Sequence, residues 1–235
     1  MRQLSQETNM EQENRLTEIF AEVGKANGYK DVNASYAAFG DFKVKWSRSY
    51  TWISFEVSDY LIGAPDNIMT SLAESVYAKI KNVGSGDYPQ DVCDWLSSPS
   101  FVDSNQMLYV KRCRGISRGT VGNCRDLCES VLRLEDEGLV EHDPMLIVRW
   151  NSGSTWKAST KSSTLMKVVR VADTLDSFDI PDCVVDYSVY SALIRISQGF
   201  GQQSPVKRAE YSKMLELYPY QEEAEYGLRR INMTI

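Results

Sequence analysis

An internal repeat is the feature of this sequence that most restricts how the chain can fold. The stretch that begins at Pro65 aligns without gaps with the stretch that begins at Pro181. Identical residues coincide in this alignment as Pro65/Pro181, Asp66/Asp182, Ser75/Ser191 and Ile80/Ile196. Repeats of this kind indicate structural units that share one architecture. We therefore predict two related domains, an N-terminal repeat over residues 1–112 and a C-terminal domain over residues 113–235.

Both copies contain the same order of predicted elements. A helix comes first, with apolar residues at helical spacing such as Leu16, Ile19 and Phe20. A β-hairpin follows, and a proline then precedes a longer helix, where its missing N–H costs no hydrogen bond. After Pro181 this helix is apolar on most sides, which predicts a buried central helix. Two further helices are predicted over residues 205–217 and 220–231, and the expected fold class is α+β.

The composition indicates a globular protein without a membrane-spanning segment. The 235 residues are 43% hydrophobic and 25% charged, and the apolar runs are short. The stretch before Leu16 is polar and lacks a hydrophobic signal core, so we expect a cytoplasmic protein without a membrane partner. The five cysteines are scattered along the chain, which favours free thiols over a disulfide framework.

A distinctive series of residues leads into the main helix of the second copy. It follows a strand, a hairpin and a strand, and it consists of Leu175-Asp176, Pro181, Asp186-Tyr187 and Tyr190. The segment from Leu146 to Ile231 thereby resembles the SprT-like and related compact zincin metalloproteases. In that family the helix after this proline carries HExxH, whose histidines bind Zn²⁺ and whose glutamate activates the metal-bound water. The resemblance implies a zincin-like α-β-hairpin-α unit, which extends to the first half of the chain through the repeat.

The residues at the motif positions cannot perform this chemistry. The resemblance places Ser191 and Arg195 at the histidine positions, Ala192 at the glutamate position and Lys207 near the downstream ligand. Serine is a poor zinc ligand, alanine is no base, and cations repel a metal ion. We therefore interpret the chain as a metal-free pseudoenzyme with no catalytic residue and no cofactor. A further hypothesis is that Arg195 replaces the metal by pairing with Asp186 or with a glutamate of the last helices.

The remaining metal-ligating residue types do not form a recognisable zinc motif. The only histidine, His142, precedes Asp143-Pro144, which predicts an exposed turn. Cys113, Cys124 and Cys128 lack both a fourth ligand and the CxxC spacing that structural zinc sites often show. We favour buried free cysteines over a metal site.

A basic, glycine-containing segment supplies one alternative function. The net charge of the chain is −6, which gives no general attraction for nucleic acid. Locally, however, a group of cations occurs between residues 111 and 125, namely Lys111, Arg112, Arg114, Arg118 and Arg125. Such a loop, running into a helix N-terminus, can bind an anion through backbone N–H groups. A nucleic-acid- or ribosome-associated factor would use this segment, although a solvated linker is the interpretation that we favour.

A carboxylate centre supplies the other alternative. A hydrolase that binds a hard cation through oxygen ligands could use a set of aspartates, namely Asp59, Asp173, Asp176 and Asp186. Their positions in turns or ahead of the two helix-starting prolines favour a capping role instead.

For a scaffold without catalysis, the partner that we expect is another protein. The groove beside the edge strand, near Val168, Arg170 and Ser191, is predicted to accept an extended peptide by strand addition. Aromatic residues in and after the first hairpin alternate along the strands, which favours core positions over base stacking. These residues are Trp46, Tyr50, Trp52, Phe55 and Tyr60.

Overall fold

The computed structural model describes residues 2–83, 87–116, 119–152, 160–201 and 204–234. The structure is α+β, as predicted, and divides into two compact units, Met1–Leu96 and Ser97–Ile235. The division precedes helix α4 (Pro99–Arg112) instead of following it at residues 112 and 113. The reason lies in Gln106 of α4, whose side-chain amide donates to the carbonyls of Met145 and Met166, at 2.6 and 2.9 Å. These bonds tie α4 to the second unit.

The first unit is built around a three-stranded sheet. Helix α1 (Arg2–Ala26) leads to strands β1 (Asp31–Ala37), β2 (Val44–Arg48) and β3 (Trp52–Ser58). Strand β3 is central, because β1 pairs with it in parallel and β2 pairs with it antiparallel. A 3-10 turn (Asp59–Leu61) then leads to helix α2 (Asp66–Ile80), and helix α3 (Gln90–Leu96) follows.

Aromatic rings form the core between this sheet and its helices. Phe55 of β3 lies with its ring centroid 4.8 Å from that of Phe20 on α1 and 5.2 Å from that of Tyr77 on α2. The Tyr77 hydroxyl also donates to the carbonyl of Phe20 at 3.1 Å, so its buried polar atom has a partner. The three side chains therefore join both helices to the central strand.

The second unit contains the same arrangement. Helix α5 (Leu127–Asp136) leads to strands β4 (Ile147–Asn151), β5 (Thr160–Ser163) and β6 (Val168–Ala172), and a 3-10 turn (Asp173–Leu175) follows. Strand β6 is central, with β4 parallel and β5 antiparallel to it. The helices that follow are α6 (Asp182–Ser197), α7 (Pro205–Leu215) and α8 (Gln221–Thr234). The two sheets thus have the same strand order and the same strand directions.

Helix α6 is the buried centre of the second unit, as its apolar pattern predicts. Pro181 stands immediately before its first residue, and Pro65 stands in the same place before α2. Side chains on several sides of α6 are buried, among them Val184, Val185 and Tyr187. Helices and sheet strands surround α6, which positions Ser191, Ala192 and Arg195, whereas Lys207 lies on α7.

The aromatic residues of the first hairpin divide between the core and the surface. Phe55 and Tyr60 are fully buried, whereas Trp46 and Trp52 are 38% and 43% exposed and Tyr50 is 99% exposed. The predicted core position is therefore wrong for these last three residues. Trp46 lies on β2, which in the described sheet pairs with β3 alone, and Tyr50 lies in the hairpin turn. No helix within the described ranges combines the length and the apolar character that crossing a bilayer requires.

Candidate functional site

Helix α7 contacts the side of α6 that carries Ser191 and Arg195. These two residues are one helical turn apart and therefore lie on the same side of α6. The Tyr211 hydroxyl of α7 donates to the carbonyl of Ser191 at 3.2 Å, and its ring centroid lies 4.9 Å from the guanidinium carbon of Arg195. The Ser191 hydroxyl itself donates to the carbonyl of Ser188. Tyr211, which the sequence analysis did not identify, is thus the α7 residue that contacts this pair.

The Lys207 side chain contacts the end of α6. Its ammonium group donates to the carbonyl of Gln198 at 3.1 Å, and the Gln198 amide donates to the carbonyl of Lys207 at 2.7 Å. Ala192, at the glutamate position of the motif, is buried. The structure therefore brings three of the four motif positions to the contact between α6 and α7, where Tyr211 and Gln198 hold the helices together.

The proposed pairing of Arg195 with a carboxylate is wrong. Arg195 is exposed, and no carboxylate within the described residues lies at ion-pair distance from its guanidinium group. Asp186 pairs instead with Arg133 of α5, which donates to its carboxylate through two bonds of 2.8 Å. The charge of Asp186 is therefore matched on the side of α6 that α5 covers.

The loop before α5 binds a carboxylate that belongs to the protein itself. The carboxylate of Asp176 accepts hydrogen bonds from the backbone N–H groups of Asn123, Cys124 and Arg125. Gly122 allows this approach, since a Cβ atom there would lie 2.5 Å from an oxygen of Asp176. The sequence analysis predicted that backbone N–H groups of this loop could bind an anion. In the structure they bind the buried carboxylate of Asp176.

Of the predicted basic segment, Arg125 is engaged inside the second unit. Its side chain is 13% exposed and binds the Asp182 carboxylate at 2.8 Å and the carbonyls of Ser177 and Ile180. Lys111 and Arg114 are exposed and Arg112 is half-buried, whereas Arg118 lies outside the described residues. Arg125 must therefore be removed from the nucleic-acid-binding set, because its donors are already used.

The carboxylates and cysteines do not form a metal centre in the described part of the chain. No group of three or more histidine, cysteine, aspartate or glutamate residues is arranged to hold a metal ion there. All five cysteines are free. Cys128 is exposed, contrary to the expected burial, and His142 is 73% exposed, as expected for a turn.

The peptide groove expected in the second unit is misplaced. Val168 and Arg170 belong to β6, which is the central strand and has neighbours on both sides. The outer side of β4 is also occupied, because Trp150 and Ser152 donate their N–H groups to the carbonyls of Gly119 and Gly115. A peptide therefore cannot add as a strand at Val168 or Arg170.

Strand β2 of the first unit has a free outer edge, since no strand among the described residues pairs with it there. Ser49 N–H donates to the Trp52 carbonyl, and Ser58 N–H donates to the Lys43 carbonyl, at 2.9 and 3.1 Å. In an antiparallel pair, the residues that bond to the partner alternate with residues whose N–H and C=O groups point away. The outward-pointing residues of β2 are therefore Val44, Trp46 and Arg48. All residues of β2 except half-buried Val44 are exposed.

Comparison of the chain with protein-family models, with curated proteins and with solved structures finds no significant match.

Proposed function

We propose that the chain is a non-catalytic protein-binding module, cytoplasmic in location, built on a degenerate and duplicated zincin-like scaffold. The contact between α6 and α7 supports the non-catalytic part. The residues at the ligand positions, Ser191 and Arg195, contact Tyr211, and neither of them is a metal ligand of the zincin type. Ala192 has no group that accepts a proton from water.

The common architecture of the two units supports the duplication. Each unit runs helix, parallel strand, antiparallel strand, central strand, 3-10 turn and helix. Pro65 and Pro181 immediately precede the last of these helices, and Asp66 and Asp182 begin them. Identical residues at equivalent points of two equal topologies are what the duplication of one ancestral unit produces.

The free edge of β2 is the observation that carries the binding proposal. Folded proteins usually cover, shorten or charge such edges, because unpaired N–H and C=O groups attract another strand. Here the outward groups of Val44, Trp46 and Arg48 are accompanied by an aromatic side chain, Trp46, that is 38% exposed. Backbone bonds and an aromatic neighbour are the two contributions to affinity that strand addition uses.

The charges along β2 favour an acidic partner. The ammonium groups of Lys43 and Lys45 lie 4.7 and 4.9 Å from the centroid of the Phe39 ring, and Arg48 ends the strand. Lys45 also lies 3.9 Å from Glu56, a contact between exposed groups that neutralises little of the local charge. The occupant that we propose is therefore an extended peptide segment of another protein, with apolar residues alternating with acidic ones.

A proline substitution on the outward-pointing side of β2 tests this proposal. Val44→Pro removes an outward N–H that makes no ladder bond, so the sheet can tolerate it, whereas Val44→Ala keeps that N–H. Peptides selected from a random displayed library against the wild-type chain should be alternating and acidic. Their affinity should fall about tenfold for Val44→Pro and change little for Val44→Ala.

Two controls make the result decisive. Thermal unfolding must show that both variants fold like the wild type, and sedimentation must show whether the wild type self-associates. Equal affinity of the selected peptides for the two variants contradicts the proposal. So does a dimer that only Val44→Pro dissociates, because the strand edge would then bind a second copy of the chain.

The alternative functions receive less support from the geometry. Arg125 and the backbone N–H groups at residues 123–125 already make internal contacts, so they do not support nucleic-acid binding. Asp176 is bound to those N–H groups and Asp186 is bound to Arg133, so neither carboxylate supports the metal centre of a hydrolase. We therefore do not propose either function.

A further inference from the structure

A pocket of about 630 Å³ opens in the second unit between helices α5, α6 and α7 and the turn that follows α5. Small-molecule sites in proteins measure roughly 300–1,000 Å³, and this volume corresponds to about twenty water molecules. The pocket is separate from the α6–α7 contact and from the Asp176 loop, since Ser191, Arg195, Tyr211 and Asp176 do not line it.

The wall of the pocket is apolar. Leu193, Ile194 and Ile196 line it from α6, Met214 lines it from α7, and Leu139, Val140 and Leu146 line it from the chain after α5. Gly138 makes room by turning the chain away from α5 at a φ of +69°, and a Cβ atom there would meet nothing within 4 Å. Apolar surface that stays open to water at such a concave place gains free energy when a ligand covers it.

The rim of the pocket is acidic. Glu135 is 19% exposed, and its carboxylate lies 3.0 Å from Nδ1 of His142. Asp143 pairs with Lys167 at 2.7 Å, which offsets its charge. Glu141 also lines the rim, and no lysine or arginine in the described ranges lies at ion-pair distance from Glu135 or Glu141. The rim therefore carries two carboxylates, Glu135 and Glu141, that no described lysine or arginine neutralises.

We infer that this pocket binds a small organic cation with an apolar body, such as an alkylammonium compound. The apolar body lies against Leu193, Ile194 and Met214. The ammonium group lies at the rim, where the partly buried carboxylate of Glu135 attracts it more strongly than a fully hydrated carboxylate does. An anion of the same shape meets repulsion from Glu135 and Glu141. This inference concerns a site in the second unit and does not depend on the strand-edge proposal.

Three probes of equal chain length separate the contribution of charge from that of apolar contact. Octylammonium, octanol and octanoate, each below its aggregation concentration, are titrated calorimetrically into the full chain at pH 7. Octylammonium should bind with one molecule per chain, about fivefold more tightly than octanol, and octanoate should bind more weakly than both. Equal binding of octylammonium and octanoate, or no binding of octylammonium, overturns the inference.

Variants locate the binding on the structure. Glu135→Gln should remove the preference for octylammonium over octanol, whereas Glu129→Gln, the same change on α5 at an exposed residue outside the pocket, should keep it. Ser197→Trp places a ring at the pocket mouth from an exposed position and should abolish binding of all three probes. Octylammonium should shift the methyl NMR signals of Leu193 and Ile194. Binding that survives Ser197→Trp, or identical behaviour of the two glutamine variants, contradicts the assignment.

Discussion

Asp186 on helix α6 accepts two hydrogen bonds of 2.8 Å from the guanidinium group of Arg133 on helix α5. The Asp186 side chain is 10% exposed and that of Arg133 is 40% exposed, so the carboxylate is the buried partner. The carboxylate holds the pKa of Arg133 above its ordinary value through this hydrogen bond. The pair joins the central helix α6 to helix α5. Arg133 is therefore the cation that pairs with Asp186, in place of the Arg195 of our hypothesis.

Removal of the Arg133 charge should destabilise the second unit. Arg133→Met keeps the apolar stem but leaves a buried carboxylate without its cation, which should lower the free energy of unfolding by about 3 kcal/mol. Urea unfolding measures this change. Arg229→Met removes an exposed pair with Glu225 and should cost less than about 0.5 kcal/mol. The double variant Arg133→Met/Asp186→Leu should recover most of the loss. Equal costs for Arg133→Met and Arg229→Met would show that the buried pair is unimportant.

The bonds of Asp176 should hold the loop before α5 in place. Asp176→Ala leaves the N–H groups of Asn123, Cys124 and Arg125 without their acceptor, so the free energy of unfolding should fall by about 2–3 kcal/mol. Hydrogen exchange of these three amides should accelerate more than that of α8. Asp176→Asn keeps one acceptor oxygen and should lose less. Asp179→Ala, at an exposed residue of the same turn, should change neither quantity, and unchanged exchange in Asp176→Ala would contradict the assigned role.

Buried tyrosines should make the fold sensitive to alkaline pH. Burial raises the pKa of half-buried Tyr36 to about 12 from its ordinary value of 10, and it also raises the pKa of the buried Tyr77 and Tyr218. A folded-state pKa above the unfolded value contributes stability below pH 10, and this stability is lost as the pH rises through the folded-state pKa. The free energy of unfolding should therefore decrease above pH 10.

Phenolate absorbance checks this pH dependence. The buried tyrosines should ionise only together with unfolding. Tyr36→Phe should reduce the loss of stability between pH 10 and pH 12, whereas Tyr50→Phe should leave it unchanged. Ionisation of all tyrosines in one step near pH 10, in a chain that stays folded, would rule out this explanation.

Metal binding tests the proposed zincin-like relationship. The untagged chain should contain zinc well below one equivalent by plasma mass spectrometry. Ser191→His/Arg195→His places two ligands on one face of α6, and adding Tyr211→His supplies a third from α7, because Tyr211 contacts this face. The third histidine should tighten zinc binding at least about tenfold. Lys213→His, on a different side of α7, is the matched control and should add little. Equal zinc affinity of the two triple variants would argue against a zincin-like arrangement of α6 and α7.

Much of the architecture follows from local patterns. The prolines at residues 65 and 181, the alternation along the first hairpin and the apolar character of α6 predict a hairpin and main helices in an α+β fold, which the structure contains, whereas the sequence analysis predicts neither α3 nor α4. Helical and strand periodicity are properties of neighbouring residues, so a sequence displays them directly. The repeat further predicts that two segments share one topology, and the two sheets have the same strand order.

The candidate sites depended on contacts between residues that are distant in sequence. Periodicity does not show whether a strand lies at the edge or in the centre of its sheet. The order of the strands leaves Trp46 exposed on the edge strand β2 and buries Val168 on the central strand β6. Nor does periodicity show which charges meet: Arg133 and Asp186 pair although they are 53 positions apart. An edge strand, a buried ion pair and a pocket between helices each require segments brought together by folding. The sequence by itself therefore determined the helix and hairpin patterns, the repeat and the absence of an HExxH motif after Pro181, whereas the tertiary structure alone decided which groups are paired and which surfaces stay open.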